Sequence, residues 1–185
     1  TTAHKAASVL PSHYSDVRDT LASIPFGSGA IVTFAFERDE IPHALDAAGF
    51  VVPAIEGLTL MASTWSSVKW PGRAPKGKVL LRAFMGGYHL PAVPTWDDAR
   101  LAQAARDDFR TLLGITAAPK LVRVDRWVDM MPRYHVGHAA RMNRLDEALA
   151  RYEGLELAGN AYRGVGIPDS VASGAAAAAR HHPAY

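Results

Sequence analysis

The segment AGNAYRGVGIPDS, residues 158–170, spaces Gly159, Gly164 and Gly166 ahead of a Pro-Asp step and an alanine-rich stretch. Glycines let a backbone approach another group closely, and the first turn of a following helix presents N–H groups that lack intrahelical acceptors. That order of residue types suits an anion or a cofactor. Pro168 belongs in a first helical turn, where a missing N–H leaves no bond unmade. The spacing differs from the GxGxxG dinucleotide fingerprint, and no acidic residue follows at ribose distance. A plain packing turn would use the same glycines.

Other clusters of reactive types are weaker. The pairs His135/His138 and His181/His182 lack a third ligand at metal spacing, so no metal site is expected, and His138 is expected to bond a turn backbone. Ser12, His13 and Asp16 are close in sequence but have no nucleophile elbow, and no triad is expected there. Arg73, Arg82, Arg123, Arg126, Arg133 and Arg141 are candidate carboxylate partners, with local ion pairs as their expected role. Alternation turns Arg82 and Leu81 to opposite faces of a strand. Met85, Met130, Met131, Trp65, Trp70 and Phe84 could line a flat apolar cavity, but strand aromatics and methionines are expected in the core. No side chain stands out as a general acid or base.

The elements that must position these residues follow from periodicity. Val17, Leu21 and Ile24 mark a helix over 14–24, closed by Pro25. Apolar runs predict strands over 29–36, 49–53, 57–65 and 78–85, and the turn-rich PGRAPKG joins the last two as an antiparallel pair. A helix is predicted over 96–113, with Thr95 as N-cap and Gly114 past its end. A long strand spans 120–130, with Leu121, Arg123, Asp125 and Trp127 on one face and Val122, Val124, Arg126 and Val128 on the other. A helix over 139–152, a strand over 155–158, the glycine turn and a helix over 168–180 complete the chain. The predicted class is α+β, a mostly antiparallel sheet with packed helices.

The 185 residues are 49% hydrophobic, enough for one core or two small lobes. Lys and Arg number 20 against 18 Asp and Glu, without basic runs, which argues against nucleic acid. Cysteine is absent, excluding disulfides and thiolate chemistry. No apolar run is long enough to span a bilayer. The start TTAHKAASVL lacks an initiator Met, so the chain is expected to be a piece of a longer protein.

GLELAGNAYRGVGIPDSVASG closely resembles the C-terminal flavin-contact segment of the FAD-dependent protoporphyrinogen and coproporphyrinogen oxidases. RWVDMMPRYHVGH and SVKWPGRAPKGKVLLRAFMGG resemble two further segments of that family, in the right order. The resemblance implies FAD as cofactor, a porphyrinogen as substrate and oxygen as final acceptor, in the cytoplasm or at a membrane surface, with homo-oligomerisation left open. It implies flavin contact at Ile167, Pro168 and Asp169, backbone shaping at Gly159, Gly164 and Gly166, and Trp127 bordering the ring. A helix end carrying about half a positive charge would favour the reduced ring by roughly 0.3 to 2 kcal/mol. It further implies that residues 25–131 form a substrate-binding sheet, while 1–24 and 132–185 belong to an FAD-binding domain. No GxGxxG turn occurs in the chain, so the pyrophosphate cradle is expected from an N-terminal FAD-binding segment, and FAD binding by the chain alone is expected to be weak or nil. Another amine-oxidase-like flavoprotein, such as a phytoene desaturase relative, and a non-catalytic half that needs a partner chain are the alternatives.

Overall fold

The structure, a computed structural model, describes residues 1–181. In chain order the elements are α1 (Ala3–Val9), α2 (Ser15–Ala22), β1 (Phe26–Glu37), β2 (Gly49–Val51), β3 (Leu60–Trp65), α3 (Ser66–Lys69) and β4 (Lys78–Gly86). Then follow α4 (Asp98–Leu113), β5 (Leu121–Pro132), α5 (His138–Leu149) and α6 (Ile167–His181). The class is α+β. Two compact units result: Gly27–Val128, and Thr1–Phe26 together with the chain from Asp129 onward.

The first of these is a sheet of order β2-β3-β4-β1-β5. The pairs β1–β4, β2–β3 and β3–β4 are antiparallel. Alternation along β1 and β4 sends Val32, Phe34, Phe36, Leu81, Ala83 and Met85 into the core beneath α4, whose Leu101, Ala105 and Phe109 meet them. Phe109 packs edge-on to Phe34 at 5.8 Å. Full burial of each such side chain contributes about 1.5–3 kcal/mol. Gly114, at φ 68°, closes α4 as expected. Its N-cap is Asp97, not Thr95: the Thr95 hydroxyl donates to the Ala92 carbonyl at 2.7 Å, while the Asp97 carboxylate accepts the Arg100 N–H at 2.7 Å.

The second unit is helical. Val17 and Leu21 of α2 pack with Met142 and Leu145 of α5, together with Ala3 and Ala7 of α1. Two small alanines are the whole buried face of α1, too little apolar signal for periodicity to reveal it. The expected strand over 155–158 is irregular chain without strand pairing, although Leu155 and Leu157 both pack on the helical core. Composition favoured a strand, but no other strand among the described residues lies beside it to complete a ladder.

Candidate functional site

The segments MPRYHVGH and AGNAYRGVG, far apart in sequence, form one device. Pro132 ends β5, and the chain then turns through Gly137, at φ 89°, into α5. That places Tyr134 and His138 four residues apart with their rings stacked, centroids 3.9 Å apart and planes within 9°. His138 bonds the Tyr162 carbonyl through Nε2 at 2.7 Å. A carbonyl only accepts, so Nε2 carries the proton, and the buried Nδ1 has no partner among the described residues. The Tyr134 hydroxyl donates to the Asn160 carbonyl at 2.7 Å and accepts the Gly164 N–H at 2.9 Å. Burial pushes the Tyr134 phenol up, which keeps the donating proton in place. Three hydrogen bonds thus fix the turn between residues 160 and 164. His138 bonds a turn backbone as its sequence context suggests. Tyr134 was not singled out, although its spacing of four from His138 was the available signal.

The turn is anchored at both ends. Gly159, at φ 132°, donates its N–H to Ser173 Oγ of α6 at 3.1 Å. At the other end Asp169 reaches back to accept the Gly166 N–H at 3.1 Å, the reciprocal half of a capping box. A Cβ on Gly164 would stand 2.4 Å from Asp169 Cγ. Gly164 therefore clears space for the Asp169 carboxylate, which nothing in the glycine pattern announced.

Beyond that cap the end of α6 is open. Ile167 is 82% exposed, and Pro168 and Asp169 are exposed as well. The Ile167 and Asp169 N–H groups have no acceptor among the described residues, since the first intrahelical bond runs from Ser170 to Gly166. Two backbone donors are thus left unanswered at this helix end. The expected electrostatics need correcting in one respect: Asp169 puts a carboxylate on the same helix end and offsets its positive pole. A cleft of about 970 Å³ runs beside the turn, floored by Met142, Leu145 and Leu149 and flanked by Arg163 and Arg180.

Trp127 lies on β5 in the sheet unit, 46% exposed. Val124 packs into the core under α4, and Arg126 bonds Asp98 of that helix at 2.6 Å, so alternation turns Arg123, Asp125 and Trp127 to the opposite, open face. Of the side chains considered for an apolar cavity, Met85 and Trp65 are core, Phe84 is half-buried, and Met130, Met131 and Trp70 are exposed.

The remaining clusters do not assemble. Asp16 is engaged by the Tyr152 hydroxyl and Arg151, which leaves no Ser12–His13–Asp16 relay. Among the described residues no group of three potential metal ligands occurs. His182 lies outside the described residues. No described helix is long and apolar enough to cross a membrane.

Known proteins are similar to this chain in sequence and fold. Coproporphyrinogen III oxidase of Bacillus subtilis (strain 168) is 35% identical over 184 residues, covering 96% of this chain and 38% of that protein. The chloroplastic protoporphyrinogen oxidase of Oryza sativa subsp. japonica is 28% identical over 172 residues, 88% of this chain and 32% of that protein. A crystal structure from Exiguobacterium sp. 255-15, carrying the provisional name protoporphyrinogen oxidase, superposes with TM-score 0.77 at 36% identity over 94% of this chain and 38% of that one. Reduced UDP-galactopyranose mutase, with TM-score 0.59 and 12% identity over 72% of this chain and 28% of that one, shares the fold alone. The chain thus spans 38% of the Bacillus relative's length and 32% of the Oryza relative's. A single family model, described as flavin containing amine oxidoreductase, matches residues 3–181 and so takes in both units, the clamped turn and the open helix end: the chain belongs to that family.

Proposed function

We propose that this chain is part of an FAD-dependent oxidase that converts a porphyrinogen to the porphyrin in haem biosynthesis, with oxygen as final acceptor. Residues 25–131 supply the substrate-binding sheet, and 1–24 with 132–185 contribute to the FAD-binding domain. The observation that carries the reading is the clamp: the two segments most like the porphyrinogen oxidases are joined by Tyr134 and His138, and the joint leaves two backbone donors of α6 open. Among the curated relatives, the 35% identity to a coproporphyrinogen III oxidase against 28% to a protoporphyrinogen oxidase favours coproporphyrinogen, while the structure that is 36% identical carries the other name only provisionally.

The flavin supplies the electron-accepting chemistry. The N–H groups of Ile167 and Asp169 would serve the pyrimidine edge of the ring, with Pro168 and Trp127 as further flavin-contact residues. Gly159, Gly164 and Gly166 give the backbone its path. The pyrophosphate would be held by a GxGxxG-bearing FAD-binding segment. The test joins the chain to such a segment and adds coproporphyrinogen III without oxygen. Bleaching of the flavin, then porphyrin fluorescence on admitting oxygen, is expected; porphyrin formation no faster than without protein contradicts the reading.

Asp169 sets a further expectation. Its carboxylate shares the helix end with the ring, so removing the charge while keeping an acceptor oxygen leaves more of the positive pole to the reduced flavin. Asp169→Asn is expected to raise the flavin midpoint potential by on the order of 1 kcal/mol per electron pair. Spectroelectrochemical titration of the two proteins checks the sign.

A further inference from the structure

β4 is the middle strand of the five, and Arg82 stands near its centre on the face turned away from α4. The register puts Thr33 of β1 and Thr64 of β3 directly on either side of it, and Gly49 of β2 beyond Thr64. The side chains directly flanking Arg82, Thr33 and Thr64, reach no higher than a hydroxyl or methyl. The guanidinium lies over the Phe84 ring, 5.1 Å from its centroid, which orients its planar fork. The arginines of β5 are spoken for: Arg123 forms a bidentate pair with Asp125, and Arg126 is held by Asp98 and the Trp96 carbonyl. Arg82 alone of these three has no carboxylate within 4.0 Å among the described residues.

A half-buried charge at the centre of a sheet carries a desolvation cost that an apolar residue would avoid; the Phe84 ring face offsets part of it, and no carboxylate among the described residues does. We infer that Arg82 is a recognition residue for a ligand carboxylate, and that the carboxylate is a propionate arm of the porphyrinogen, an inference that rests on the porphyrinogen reading above. Charge complementarity singles out this occupant. Its macrocycle is apolar and suits the half-exposed Phe84 and Ala62 beside Arg82, while its anionic arms need a planar fork of donors. Thr33 and Thr64 can add hydroxyl donors to the same carboxylate. Arg82 is thereby a recognition residue that distinguishes an acidic arm from a neutral one.

The test measures binding, not turnover, with the oxidised and redox-stable coproporphyrin III and its tetramethyl ester, followed by tryptophan quenching in one detergent-containing buffer. The unaltered chain is expected to prefer the acid over the ester by roughly ten- to hundredfold, the worth of a charge-assisted hydrogen-bond pair. Arg82→Met, of similar length, is expected to abolish that preference with ester binding unchanged. Arg82→Lys, which keeps charge but loses the fork, is expected to retain only part of it; this variant decides the matter if Arg82→Met does not fold. A full preference for the acid in either variant overturns the role of Arg82 and leaves the porphyrinogen reading standing. Binding of neither porphyrin by the unaltered chain overturns both.

Discussion

His138→Ala is expected to destabilise the helical unit by about 2–4 kcal/mol and to free the turn that precedes α6. The imidazole is 8% exposed, stacks on Tyr134 and donates to the Tyr162 carbonyl. Alanine leaves that carbonyl without its donor, empties the ring's volume and removes the platform under Tyr134. Loss of packing alone would lower stability without altering the turn selectively. The discriminating readout is therefore hydrogen exchange at the Gly164 amide, which Tyr134 Oη protects. In His138→Ala, exchange at Gly164 is expected to accelerate more than at Leu145, which sits in the same core. Tyr134→Phe is expected to expose the Gly164 amide with a stability loss of only about 1 kcal/mol. Equal acceleration everywhere would show that His138 fills space and positions nothing.

Asp108→Ala is expected to cost the sheet unit about 2–4 kcal/mol. Asp108 is on α4, 7% exposed, and its carboxylate accepts the Leu60 N–H at 2.8 Å as well as the Thr59 N–H, at the start of β3. Removing it strands both donors beside the strand that carries Thr64. Burial pushes the Asp108 carboxyl above its ordinary 3.8, and the two backbone N–H groups only partly offset that. A folded value above the unfolded one means that the native state holds the proton more tightly. This group's contribution to stability is thus fully present below 3.8 and is lost as pH rises through the raised folded value. Asp108→Asn keeps an acceptor oxygen and has no proton to lose. Relative to the unaltered chain it is expected to gain stability as pH is raised across that window, whereas Asp108→Ala is destabilised throughout. Urea unfolding at a series of pH values separates the two.

What the sequence revealed depended on how local the cause was. The C-cap at Gly114, the alternation of β5 and the turn-joined β3–β4 pair all rest on neighbours a few residues apart, and each stands where the pattern put it. The α4 N-cap moved from Thr95 to Asp97 because a hydroxyl was already committed to a carbonyl three residues back, a competition that capping preference does not weigh. The 155–158 segment has strand composition, but pairing is a property of what lies beside it. At the site, glycine spacing announced a close approach without saying to what. At Gly164 the approaching group is Asp169, and the partners that hold the turn come from Tyr134 and His138, more than twenty residues away. Long-range hydrogen bonds of this kind leave no period in a sequence.

The most direct measurement is a titration of the isotope-labelled chain with FAD, followed residue by residue in amide spectra. If the α6 end receives the flavin ring and the phosphate cradle lies in another segment, binding is weak, roughly 0.1 mM or weaker. Shifts are then concentrated at the Ile167 and Asp169 amides and the Trp127 indole. Saturating FAD that leaves those three signals unmoved, or that perturbs only distant ones, contradicts the assignment of this helix end to the flavin.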